Sequence, residues 1–75
     1  MITPGQCRAA RALLKWKQRD LADRSDVGVA TIRTFETDTT SPHKVTLKAL
    51  KTAFEDAGIE FIDENGGGPG LRLRK

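Results

Sequence analysis

Seventy-five residues are enough for one small domain and exclude a multidomain enzyme. Hydrophobic residues at 37% and charged residues at 31% are the balance of a folding chain rather than a disordered tail. The formal charge of +3 is too mild to demand a polyanionic partner; the single cysteine, Cys7, excludes an internal disulfide, and the single histidine, His43, argues against a protein-only metal site.

No apolar run is long enough for a transmembrane span, and the start MITPGQCRAAR lacks the apolar middle of a secretory signal. The expectation is a cytoplasmic protein with no metal, no cofactor and no membrane partner. Charge is unevenly distributed. Residues 1–19 hold five bases (Arg8, Arg11, Lys15, Lys17, Arg19) and no acid, whereas 55–64 hold five acids (Glu55, Asp56, Glu60, Asp63, Glu64) and no base. Such polarity can orient a protein on DNA, although chance clustering on a solvated surface would look the same.

Thr3-Pro4 opens the first helix, threonine as cap and proline in the first turn, and Cys7, Ala10 and Leu14 mark its apolar face. Trp16 breaks that spacing and is expected to plug the core beyond the helix end. A second helix runs from about Gln18 to Ser25, burying Leu21 and Ala22. Asp26-Val27-Gly28 forms the turn, and a third helix runs from Val29 to about Thr37 with Ile32 and Phe35 turned inward. Asp38-Thr39-Thr40-Ser41-Pro42 reads as a loop. A fourth helix follows from His43 to Ala57 with Leu47, Leu50 and Phe54 as its core face, stopped at Gly58. Ile59–Ile62 and Leu71–Arg74 flank Asn65-Gly66-Gly67-Gly68-Pro69-Gly70 and read as a β-hairpin, the alternative being a flexible glycine tail. The fold class is therefore mainly α: four short helices and a C-terminal hairpin or strand pair. Residues 1–58 form the helical domain, and 59–75 an extension within the same folding unit.

Two short helices joined by three residues suit a helix-turn-helix. Gln18-Arg19-Asp20-Leu21-Ala22, Val27, Ile32, Phe35-Glu36, Pro42, Leu47 and Leu50 stand in a register that resembles the lambda-repressor-like, Cro/CI-type (XRE) family. The likeness covers residues 3 to about 57. The tail GIEFIDENGGGPGLRL is similar to that of short bacterial and prophage regulators of the family.

The resemblance implies a transcriptional regulator that binds double-stranded DNA. Its recognition helix begins at Val29, and the positions matching the family's base readers hold Val29, Ala30, Arg33 and Thr34. Arg33 can bond guanine O6 and N7 in bidentate fashion, worth ~1–3 kcal/mol of discrimination; Thr34 can bond a base or a phosphate, and Val29 and Ala30 offer only apolar contact. Gln18, at a helix start, matches a phosphate contact, with Lys17, Gly28, Thr31, Thr39, Thr40, Ser41 and Lys44 as further backbone contacts. Each has an ordinary reading as a surface or loop residue. Arg11 and Glu36 match the family's structural ion pair. Family members usually dimerise on a two-fold symmetric operator. Ile59, Phe61, Ile62, Leu71 and Leu73 exceed what a lone hairpin needs, so one face is expected on the Leu50 and Phe54 side of the last helix and the other face or edge on a second subunit. The alternative is an intramolecular lid. Arg72, Arg74 and Lys75 could also touch DNA, although terminal charges in solvent are the plainer reading.

The chain departs from the family at Lys15, Asp26 and Asp38, where glycine is usual at positive φ, and at Lys17, which replaces a hydroxyl cap. Gly28 takes the place of a serine cap. Asp26 would oppose DNA unless it caps the recognition helix.

An enzyme is not expected. Cys7 lies on an apolar face, His43 follows a proline at a helix start, and GGGPG lacks the Lys-Ser/Thr of a phosphate-binding loop. The rival from another class is a helix-turn-helix-shaped interaction module, an antitoxin or antiactivator, engaging another regulatory protein through the hairpin.

Overall fold

The computed structural model describes residues 2–63 and 66–74. Glu64, Asn65 and Lys75, named above for the acidic run, the hairpin turn and the basic terminus, lie outside the described residues. Four helices, α1 (Pro4–Leu14), α2 (Gln18–Ser25), α3 (Val29–Glu36) and α4 (Lys44–Asp56), precede two antiparallel strands, β1 (Ile59–Ile62) and β2 (Gly70–Leu73). The helices end within a residue or so of the positions expected from sequence.

The start of α1 is a complete capping box. The Gln6 N–H donates to Thr3 Oγ1 at 3.1 Å, and the Thr3 N–H donates to Gln6 Oε1 at 3.0 Å, so two orphan donors are satisfied reciprocally. Gln6 is buried and its Nε2 also donates to the Gly70 carbonyl at 2.9 Å, tying the first turn of α1 to β2.

Three helices stop on non-glycine residues in the left-handed region: Lys15 (φ 58), Asp26 (φ 63) and Asp38 (φ 62). At Lys15 the Trp16 N–H reaches the Arg11 carbonyl at 2.9 Å, and at Asp38 the Thr39 N–H reaches the Thr34 carbonyl at 2.9 Å. Both are the long bond of a Schellman stop. The geometry glycine would adopt without strain is thus kept with side chains in place.

Lys17 makes no side-chain cap for α2; instead Asp20 Oδ2 accepts the Lys17 N–H at 2.8 Å from within the helix. Asp26 does not cap α3. It ends α2, and α3 starts on Gly28 with no side-chain cap.

The core gathers Ile2, Cys7, Ala10, Leu21, Ile32, Phe35, Leu47, Leu50, Ala53, Phe54 and Ile59. Trp16 packs beyond the end of α1 as expected, stacked on Phe54 at 5.7 Å between centroids, with the Arg24 guanidinium 4.9 Å above its ring. Phe61 meets Phe54 edge-on at 6.1 Å.

The strand pair lies across the helices, β1 along α4 and β2 along α1. Register pairs Ile59 with Leu73, Glu60 with Arg72, Phe61 with Leu71 and Ile62 with Gly70. Strand alternation therefore puts Ile59, Phe61, Leu71 and Leu73 on one face. Ile59 is buried there, and the other three pack against the core. The opposite face carries Glu60 bonded to Arg72 at 2.9 Å, together with Ile62, 44% exposed. One face of the hairpin thus packs on the helices, as expected, through Ile59, Phe61, Leu71 and Leu73, while Ile62 shares the outward face with the Glu60–Arg72 pair.

Candidate nucleic-acid interface

The two sides of α3 differ completely. Ile32, Phe35 and Glu36 are buried, and Ala30, Thr31, Arg33 and Thr37 are exposed, with Val29 and Thr34 half-buried at the boundary. At 100° per residue, Val29, Ala30, Arg33, Thr34 and Thr37 form one outward strip and Thr31 lies at its flank. Among the described residues no carboxylate pairs with Arg33. Thr37, which the sequence marks only as a helix end, shares the strip, and its place one turn after Arg33 is the signal for it.

The inward side is held by a polar hub at Glu36. Arg11 binds its carboxylate in a fork, Nε to Oε2 and Nη2 to Oε1, both at 2.7 Å. Gln18 Nε2 donates to Oε1 at 3.0 Å and the Cys7 thiol to Oε2 at 3.1 Å, while Arg8 Nη1 donates to the Glu36 carbonyl. Arg11 also donates to the Trp16 carbonyl at 3.1 Å. Residues of α1 and α2 therefore converge on the last residue of α3, and Arg11 links the turn between those helices to the same hub.

Burial is the largest influence on the Glu36 carboxyl and raises its pKa, but the hydrogen bonds from Arg11, Gln18 and Cys7 and the Arg11 charge together hold it below the usual glutamate value. The bond to Glu36 raises the Arg11 pKa in turn. Burial, then the hydrogen bond and charge of Glu36, pushes the Cys7 thiol well above its ordinary range, so it stays protonated and unreactive. Among the described residues no buried side-chain nitrogen or oxygen lacks a partner.

The phosphate candidates divide into groups. Gln18 commits one amide N–H to Glu36 and keeps a second, so it belongs to the hub as well as to the surface. Lys17 and Gly28 are exposed at the starts of α2 and α3, and a methyl group on Gly28 would meet nothing within 4 Å. Thr39 and Thr40 fold back onto α3: the Thr37 and Thr39 hydroxyls lie 2.9 Å apart, and Thr40 Oγ1 donates to Thr34 Oγ1 at 3.1 Å. Ser41 and Lys44 are exposed beyond them, before and within the first turn of α4. The structure thus gathers Thr34, Thr37, Thr39 and Thr40 into one hydroxyl cluster at the end of the strip.

Elsewhere, an apolar groove of about 440 Å³ runs between α1 and β2, lined by residues that include Ala9, Leu13, Pro69 and Leu71. A second of about 410 Å³ lies along α4 beside Ile2, Lys44, Lys48 and Lys51. Neither is lined by Cys7 or His43. Among the described residues no group of acids, histidine and cysteine is placed to hold a metal ion, and no helix is long and apolar enough to cross a membrane.

No curated protein matches the chain. A family model described as Helix-turn-helix matches residues 8–55, which take in most of α1, all of α2 and α3, and α4 to within its last residue. This is a DNA-binding family and not an enzyme family. The register read from Gln18 to Leu50, the paired short helices and the matched span together place the chain in the XRE-type helix-turn-helix family.

Proposed function

We propose that the protein is a transcriptional regulator that binds a two-fold symmetric operator in double-stranded DNA as a homodimer, with α3 in the major groove. The observation that carries the reading is the outward strip of α3, with Arg33 exposed and paired to no carboxylate among the described residues, on a helix whose other side is locked by Glu36. Arg33 reads a guanine edge, and Val29, Ala30 and Thr34 lie against neighbouring bases. Gln18, Lys17, Gly28, Thr31, Thr39, Thr40, Ser41 and Lys44 flank the strip and hold phosphates. Half-sites lie about one helical turn, ~10–10.5 bp, apart. The dimer contact uses what the hairpin leaves outward, Ile62 and the half-exposed edges of Phe61, Leu71 and Leu73.

Selection of the purified protein on a random duplex library at near-physiological salt tests this. The reading expects an enriched inverted repeat; an enriched unsymmetrical site would remove the dimer and keep DNA recognition. The second reading, an interaction module for another regulatory protein, draws on the apolar groove beside the hairpin, where Leu13 is 47% exposed. Folded protein that enriches no sequence would favour it.

A further inference from the structure

Resting on the DNA-binding reading, the recognition strip has a chemical character that narrows its target. A threonine hydroxyl has one hydrogen to donate and two lone pairs to accept with. Thr34 Oγ1 lies 3.2 Å from the Ala30 carbonyl and 3.2 Å from the Thr31 carbonyl, and donates its hydrogen back into its own helix. One lone pair already accepts from Thr40, which sits in a loop fastened to α3 by the Thr39 N–H to Thr34 carbonyl bond. Thr34 therefore has no hydrogen left to donate to a base or phosphate, and what it turns outward besides one remaining lone pair is its γ-methyl. Thr37, next along the strip, is committed in the same way, its hydroxyl 3.1 Å from the Arg33 carbonyl, 3.2 Å from that of Thr34, and 2.9 Å from Thr39. Val29 and Ala30 have only methyl groups to offer. Apart from Arg33, the strip offers methyl groups and no uncommitted side-chain donor.

In the major groove the distinctive apolar feature is the C5-methyl of thymine. A cytosine methylated at C5 carries the same group at the same ring position. We propose that Val29, Ala30 and the Thr34 methyl read a C5-methyl on a pyrimidine in the half-site that Arg33 anchors through guanine. Thymine and 5-methylcytosine are then accepted alike at that position, and unmethylated cytosine is rejected. The methylation state of an operator cytosine there becomes a switch on binding.

The test uses the full-length protein and a duplex enriched from the random library, with the changes made in the DNA so that no variant needs to fold. Each thymine is replaced by deoxyuridine, which removes only the methyl, and dissociation constants are measured. One or two positions are expected to lose about fourfold in affinity per half-site, and about fifteenfold with both half-sites changed, the worth of a buried methyl group. Cytosine at those positions is expected to bind no better than deoxyuridine, and 5-methylcytosine to restore most of the loss.

Equal affinity for thymine and deoxyuridine at every position would overturn the proposal while leaving DNA recognition in place. Failure to enrich any duplex would overturn the underlying reading instead. On the protein side, Thr34→Val keeps a methyl and should keep the discrimination, whereas Thr34→Ser keeps the hydroxyl and should lose it. The reverse order would assign the reading to the hydroxyl and sink the proposal.

Discussion

The two faces of α3 are eight residues of one helix under opposite constraints. Inward, Glu36 takes hydrogen bonds on its carboxylate from Arg11, Gln18 and Cys7, and Ile32 and Phe35 fill the core. Outward, Arg33 is held by no carboxylate among the described residues, and its neighbours present methyl groups. Orientation and recognition are therefore separable on a single element, and a substitution on one face should leave the property of the other face intact.

The largest expected effect is on the inward face. Glu36→Ala removes the acceptor for Arg11, Gln18 and Cys7 together and should destabilise the fold by about 3 kcal/mol, read by chemical denaturation. Glu36→Gln should fall between the two, since an amide can still accept one arm of Arg11. The carboxyl's low pKa gives the hub a pH signature. Its ionised form is favoured in the folded state, so its contribution is complete above the ordinary value of 4.5 and disappears as pH falls through the lower folded value. Stability measured from pH 7 downward should drop steeply below about pH 4.5 in the parent, and less steeply in Glu36→Gln.

On the outward face, Arg33→Ala should leave thermal stability within about 0.5 kcal/mol of the parent. It should relax preference at one base pair of each half-site by ~1–3 kcal/mol in binding assays across single-base variants. Equal loss on every sequence would demote Arg33 to a phosphate contact. Lys44→Gln should weaken all sequences alike and shallow the salt dependence by about one unit of slope per subunit.

The smallest effect comes from a residue on neither face. Lys15 holds a left-handed stop at φ 58, so Lys15→Gly should stabilise by about 0.5–1 kcal/mol, the relief of strain being partly offset by the added freedom of the unfolded chain. A melting curve checks the gain, and unchanged operator preference would show that stability and recognition remain separate.

Much of this architecture was legible from local chemistry. Lys15, Asp26 and Asp38 mark the helix stops because the chain must turn left-handed there whichever residue stands in the position. The spacing of Cys7, Ala10, Leu21, Ile32, Leu50 and Phe54 reports the core, and all six are buried. The T-x-x-Q capping box at Thr3 and Gln6 was also present in the sequence, but its second use, the bond to Gly70, joins residues 64 apart and has no local signal.

The hairpin shows a different limit. Alternation alone puts Ile62 opposite in facing to Ile59 and Phe61, yet which face turns inward depends on how the strands cross α1 and α4. Gln18 likewise reads as a phosphate donor in isolation, and only the approach of Glu36 reveals its second task. The Thr34–Thr40 link depends on the left-handed turn at Asp38 bringing the loop back, which residue spacing does not encode.

The most direct test of the central claim is parallel selection of the parent and Arg33→Ala on the same random duplex library, with melting temperatures measured on the same preparations. The account predicts an inverted repeat for the parent and the same repeat with one relaxed base pair per half-site for the variant, at equal stability. No enrichment by folded parent protein, or enrichment of an unchanged motif by Arg33→Ala, would contradict it.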